Sequence, residues 1–228
     1  MQRVAHLRPA GRVGLTRLPR QWPGAPGLAL IAKHGLPRPG LPREVNVWRL
    51  RNMPNLWRGA WRYLAARALR LPAHYGVVYL DVCRAGGERV PYGLASLRVV
   101  TDAGVNYIRD AYLNTTELEN MKYHGYGTGT TAEAVGQTAL TTELTTEYTT
   151  DNTRPTGSQA SNGTGIYRTV ATLDPDIDVA ITEHGIFSQA ATGGGTLLDR
   201  SKFSAVNLVG ATGDTLQVTY DFTCSSGG

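Results

Sequence analysis

The chain has 228 residues, 41% of them hydrophobic and 18% charged, with 27 glycines, 12 prolines and two cysteines. That length buries one sizeable core or carries one domain with an appendage, and the glycine, proline and threonine content excludes a simple helical bundle in favour of short strands joined by turns. The formal charge of +5 is unevenly placed: arginines crowd the first fifty residues, where Glu44 is the only acid, and half of the acids lie between Thr115 and Asp178. A nucleic-acid-binding field over the whole molecule is therefore not implied.

Residues 1–52 read as a basic leader. Met1–Val45 has no hydrophobic period and repeats Leu-Pro-Arg at Leu18–Arg20, Leu36–Arg38 and Leu41–Arg43. Such a segment is expected to build no core, and to be disordered or to lie upstream of a natural start at Met53. Its functional alternative is an arm that touches phosphate or an acidic surface. Its arginines alternate with proline and glycine, so it does not read as a secretory signal, and no apolar run reaches the roughly 20 residues of a membrane span. Residues 53–72 carry an amphipathic basic helix over Asn55–Leu71, ended by Leu71-Pro72. Trp57, Trp61, Leu64 and Ala68 recur at helical spacing with Arg58, Arg62, Arg67 and Arg70 between them. This apolar face is expected to dock on its own domain or on a partner subunit, and Trp57, Arg58, Trp61 and Arg62 are the candidate partner-binding residues.

Residues 73–228 read as one antiparallel β-rich domain. His74–Cys83 and Glu88–Val100 flank Arg84-Ala85-Gly86-Gly87 as a hairpin, and Pro91 places the second arm at a sheet edge. Thr101 or Asp102 caps a helix to about Leu113, with Val105, Ile108 and Ala111 or Tyr112 as its apolar face. Met121–Tyr126 is a short strand running into a tight glycine turn, Ala134–Leu144 holds one helical turn, and Thr145–Gly165 is an exposed, mobile polar loop. Ile166–Leu173 returns as a strand. The last region divides at Gly193–Gly195 and Gly210–Asp214 into Thr182–Gln189, Thr196–Val209 and Thr215–Cys224, three antiparallel strands. In the last of these Leu216, Val218, Tyr220 and Phe222 alternate with Thr215, Gln217, Thr219 and Asp221. The fold class is thus mainly β with α, an antiparallel β-sandwich with one or two helices. Cys83 and Cys224 fall on different strands, which leaves a disulfide open and favours free thiols.

Catalytic patterns fail in turn. Glu183, His184 and Ser188 are close in sequence without a nucleophile elbow, and Glu143 with Glu147 lacks an aromatic sugar platform. Asp174, Asp176 and Asp178 fall short of the six to eight oxygens of a calcium site. The glycine turn after Tyr126 matches neither a P-loop nor a dinucleotide fingerprint. No catalytic residue, cofactor or metal ligand is expected.

Four stretches nevertheless form an ordered set: MKYHGYGTGTTAEA at Met121–Ala134, QTALTTEL at Gln137–Leu144, TEHGIFSQAATGGGTLLDRSKFSAVNL at Thr182–Leu208 and GDTLQVTYDFT at Gly213–Thr223. With RVVTDAGVNYI at Arg98–Ile108, this set resembles the small virion proteins of tailed bacteriophages, over roughly Leu94 to Thr223. The resemblance implies a virion structural protein without catalytic residues, multicopy or homo-oligomeric, assembled in the host cytoplasm. The expected role is a capsid decoration (cement) protein bound to the major capsid protein lattice. A tail-tip or fibre-attachment protein is the alternative, and a carbohydrate-binding or hydrolytic module the third reading.

Overall fold

In the computed structural model of the chain, residues 28–68 and 74–224 are described. A helical turn α1 (Leu28–Leu30) widens into a π-turn (Ile31–Gly35) and leads to the long helix α2 (Arg43–Ala68). The strands are β1 (His74–Cys83), β2 (Arg89–Val99), β3 (Tyr123–Gly127), β4 (Ser158–Ser161), β5 (Ile166–Leu173), β6 (Asp178–Phe187), β7 (Leu197–Val209) and β8 (Thr215–Cys224), with α3 (Asp102–Tyr112) after β2. They form two antiparallel sheets in the orders β2-β1-β8-β5-β4 and β3-β6-β7. The protein is an α+β antiparallel sandwich. Between the sheets Val78, Leu80, Val82, Leu216, Val218 and Tyr220 meet Ile181, Ile186, Phe203, Val206 and Leu208, all buried.

The β1–β2 hairpin and its edge position follow the sequence pattern, with Pro91 opposite Asp81 beside a register shift. Strand β8 spans the residues its alternation marks but does not continue a three-strand meander. It leaves β7 and inserts between β1 and β5, with Tyr220 opposite Val78 on one side and Thr169 on the other. The crossing is made at Gly213 (φ 97°), where Asp214 accepts the backbone N–H of Val209 (3.1 Å) and of Ala85 (3.0 Å) and pairs with Arg84 at 2.7 Å. A left-handed residue costs glycine little, and the carboxylate ties the hairpin of one sheet to the turn leaving the other. Cys83 and Cys224 fall at opposite ends of the β1–β8 pair, roughly 30 Å apart at about 3.4 Å per residue, so both remain free thiols.

Helix α2 corrects the boundary drawn at Met53. It starts at Arg43, just after Pro37, Pro39 and Pro42, and residues of the expected leader supply much of its inner face. Val45, Trp48, Arg49, Asn52, Leu56 and Ala60 are buried, each three or four positions from another of the set. Two of these, Arg49 and Asn52, are polar, which is why apolar periodicity missed this face. Trp48 Nε1 donates to the Ser204 carbonyl (2.7 Å), Asn52 Nδ2 to the Ala95 carbonyl (2.8 Å) and Arg49 Nε to the Tyr92 carbonyl (3.0 Å), while Asn52 Oδ1 accepts the Ser204 N–H (2.9 Å). The helix thereby satisfies free edge groups of both β2 and β7. At Gly59 it closes on β2 so tightly that a Cβ would stand 2.0 Å from the Leu97 carbonyl oxygen. Residues 1–27 lie outside the described residues.

Helix α3 begins as expected, with Thr101 Oγ1 accepting the Gly104 N–H at 3.0 Å. Its core face is turned from the expected one. Gly104 and Tyr107 are buried, whereas Val105 is 48% and Tyr112 88% exposed. The cause is close packing at Gly104, where a Cβ would lie 2.6 Å from the Leu198 carbonyl oxygen.

Candidate functional site

Residues 128–157 contain neither helix nor strand, so the helical turn expected within Ala134–Leu144 is absent. The polar stretch from Thr145 is exposed over most of its length, but it is anchored by Tyr148 and Arg154, both buried. What orders the segment is a set of buried ion pairs that periodicity does not reveal. Glu183, fully buried on β6, receives the backbone N–H groups of Gly129 (3.1 Å), Thr141 (3.1 Å) and Thr142 (2.7 Å) and pairs with Arg200 of β7 at 2.6 Å. Arg200 in turn donates to the Thr131 carbonyl (3.2 Å) and to Gln137 Oε1 (3.1 Å). Arg154 grips Glu143 with Nε (2.5 Å) and Nη2 (2.9 Å), donates to the carbonyls of Gln189, Ala191 and Gly194, and lies 3.6 Å from the centre of the Phe187 ring. Such pairs stabilise when every lone pair and proton is met, as these nearly are.

These bonds fix the chemistry of the residues considered for catalysis. Glu183 is saturated by donors, and Ser188 Oγ accepts the Thr196 N–H at 2.9 Å. His184 Nε2 lies 3.0 Å from His124 Nδ1, and His124 Nε2 lies 3.1 Å from Thr169 Oγ1. Burial holds His184 down to about 3, and burial followed by the neighbouring His184 holds His124 well below the ordinary histidine value. Both imidazoles are held neutral by burial, and His124 links the two sheets through Thr169 of β5. Glu143 is taken by Arg154, and Glu147 accepts the Thr145 N–H at 2.7 Å. Among the described residues no group of three or more His, Cys, Asp or Glu is placed to hold a metal ion.

A third buried pair, Arg98 with Glu133, joins the segment to β2, and Glu133 Oε1 also accepts the Lys202 N–H at 2.7 Å. Near it Asp199 is 1% exposed, with Ser201 Oγ at 3.2 Å and Tyr220 Oη at 3.5 Å. Burial pushes its carboxyl up to about 7. Gly76 makes the room, since a Cβ there would lie 2.5 Å from Asp199 Oδ2.

The sequence-marked partner residues form a surface. Trp57 (51% exposed) and Trp61 (73%) stand outward with Arg58 and Arg62, so of the two expected outcomes, docking on its own domain or on a partner subunit, the first does not hold: the inner face docks and this one is left open. Leu50 and Leu64, also exposed, extend the stripe at both ends. The helix beneath is fixed by the close approach at Gly59. Among the described residues no helix is long and apolar enough to cross a membrane. Comparison with family models, with curated proteins and with solved structures finds no match.

Proposed function

We propose that the protein is a structural component of a tailed-bacteriophage virion, a decoration protein that binds the assembled head lattice through the outer face of α2. The observation that carries this reading is the open aromatic and cationic stripe of Trp57, Arg58, Trp61 and Arg62 on a rigidly seated helix. Indole rings bury large area at low entropic cost, and guanidinium groups at a rim meet carboxylates. The ordered motifs shared in resemblance with virion proteins support it, as does the engagement of Glu183, His184, Ser188 and Glu143 in structural bonds. A repeated lattice multiplies contacts that are individually weak.

The test is binding of purified protein to virus particles or empty heads. Binding is expected to saturate at a fixed stoichiometry per capsid lattice unit, and Trp61→Ala to weaken it by about 2 kcal/mol or more, the size of a hot-spot residue. Localisation only at the tail would favour a tail-tip or fibre-attachment role. Absence from virions combined with measurable glycan turnover would favour a carbohydrate-acting module.

A further inference from the structure

The molecule has a second exposed apolar surface, at the end of the sandwich where β8 finishes. Ile108, Leu118, Met121, Leu198 and Phe222 line a cleft of about 400 Å³, in which Glu119 is the one charged lining residue. The apolar surface continues onto the rim. Val105, Ile108 and Tyr112 share one side of α3, and Val105, Tyr112 and Leu118 are 48%, 88% and 49% exposed. Tyr112, one helical turn beyond Ile108, is thus an aromatic knob standing beside an apolar hole.

Charge separates this surface from the outer face of α2. Between Leu50 and Leu64 the exposed charged residues of α2, Arg51, Arg58 and Arg62, are all cationic, so two copies of that stretch repel one another. Arg109, Glu117 and Glu119, all exposed, and the half-buried Lys122 are chain neighbours of the lining residues Ile108, Leu118 and Met121, so both signs of charge occur beside the cleft. Arg109 is engaged with Asp110 at 2.6 Å, but that pair is 61% and 32% exposed, and a surface pair of this kind holds its partners weakly. A two-fold interface requires one patch to be complementary to itself, in shape and in charge. A knob next to a hole, framed by acids and bases together, meets both requirements.

We propose that this face is a two-fold interface between two copies of the chain, with Tyr112 of each copy entering the cleft of the other. Arg109 and Lys122 of one copy then lie opposite Glu117 and Glu119 of its partner. The interface is independent of head binding by α2, and it doubles the number of Trp61 stripes per particle-binding unit.

Sedimentation equilibrium of the full chain is expected to show a monomer–dimer equilibrium. Tyr112→Asp should raise the dimer dissociation constant roughly tenfold or more, as loss of a central aromatic anchor does, without lowering the melting temperature of the dilute monomer. Trp61→Ala should leave dimerisation unchanged, which keeps this test separate from the particle-binding one. Cys224 lines the cleft and supplies a second readout. In a Cys83→Ser background its labelling by a small maleimide should slow as protein concentration rises, and Tyr112→Asp should abolish that dependence. A monomer up to several hundred micromolar, on the order of the weakest specific contacts, with concentration-independent labelling would overturn the proposal. Dissociation by Trp61→Ala but not by Tyr112→Asp would overturn it too.

Discussion

The core between the sheets and the segment 128–157 are held by different means. Where β1 and β8 pair, order comes from an unbroken ladder and from apolar side chains such as Leu80, Val218 and Leu216, none of which is exposed. In 128–157 there is almost no ladder, only isolated bridges such as Gly127 with Glu143 and Tyr148 with Pro175. Order there comes from Glu183, Arg200 and Arg154, whose charged groups take over backbone donors and acceptors that a sheet would have paired. Apolar contact is non-directional and tolerates loss in proportion to the volume removed. A buried ion pair is directional, and deleting one partner strands the other. The two regions should therefore fail differently.

The largest effect is expected from Glu183→Ala, which leaves Arg200 buried and unpaired and frees three backbone N–H groups. A loss of roughly 3–5 kcal/mol is expected, with hydrogen exchange rising first at Gly129, Thr141 and Thr142. Protection at those amides equal to wild type would show that the segment does not depend on the ion pair.

Asp199→Asn sharpens the contrast through pH. Below about 4 the carboxyl is protonated folded and unfolded alike and has no effect. Between about 4 and 7 the unfolded chain loses this proton while the fold retains it, so this group's contribution to stability falls as pH rises and levels off above 7. A shift from 3.8 to about 7 corresponds to something on the order of 4 kcal/mol across that window. The difference between wild-type and Asp199→Asn stabilities, measured by denaturant unfolding at several pH values, should trace that slope; a flat difference would refute it.

Leu80→Ala, in the middle of β1, is expected to cost about 3 kcal/mol through cavity formation. Its exchange signature should be global opening, with no preference for 128–157. The smallest effect on stability is that of Trp61→Ala, within roughly 0.5 kcal/mol as for an exposed site, even though particle binding weakens. A large drop in melting temperature would mean that the outer face of α2 is structural after all.

The fold was legible wherever a local period decided it. The span of β8, the β1–β2 hairpin with its edge proline, β5 and the Thr101 cap all follow from alternation, turn residues or a cap within a few positions. The candidate partner residues Trp57, Arg58, Trp61 and Arg62 were also legible as a group, because helical spacing alone gathers them. Their exposure was not, since the competing inner face is built from Trp48, Arg49 and Asn52, whose partners Ser204, Tyr92 and Ala95 lie 156, 43 and 43 residues away.

By itself, then, the sequence determined an antiparallel sandwich with one or two helices, since alternation, turns and caps are properties of neighbouring residues. Only the tertiary structure decided that β8 crosses to the other sheet, that α2 begins at Arg43, and that 128–157 is pinned around Glu183. Each of those outcomes rests on a charged or amide side chain meeting backbone groups far away in the chain. A carboxylate saturated by Gly129, Thr141, Thr142 and Arg200 reads in the sequence as one more polar residue in a strand, because what makes it structural is its partners' positions in space.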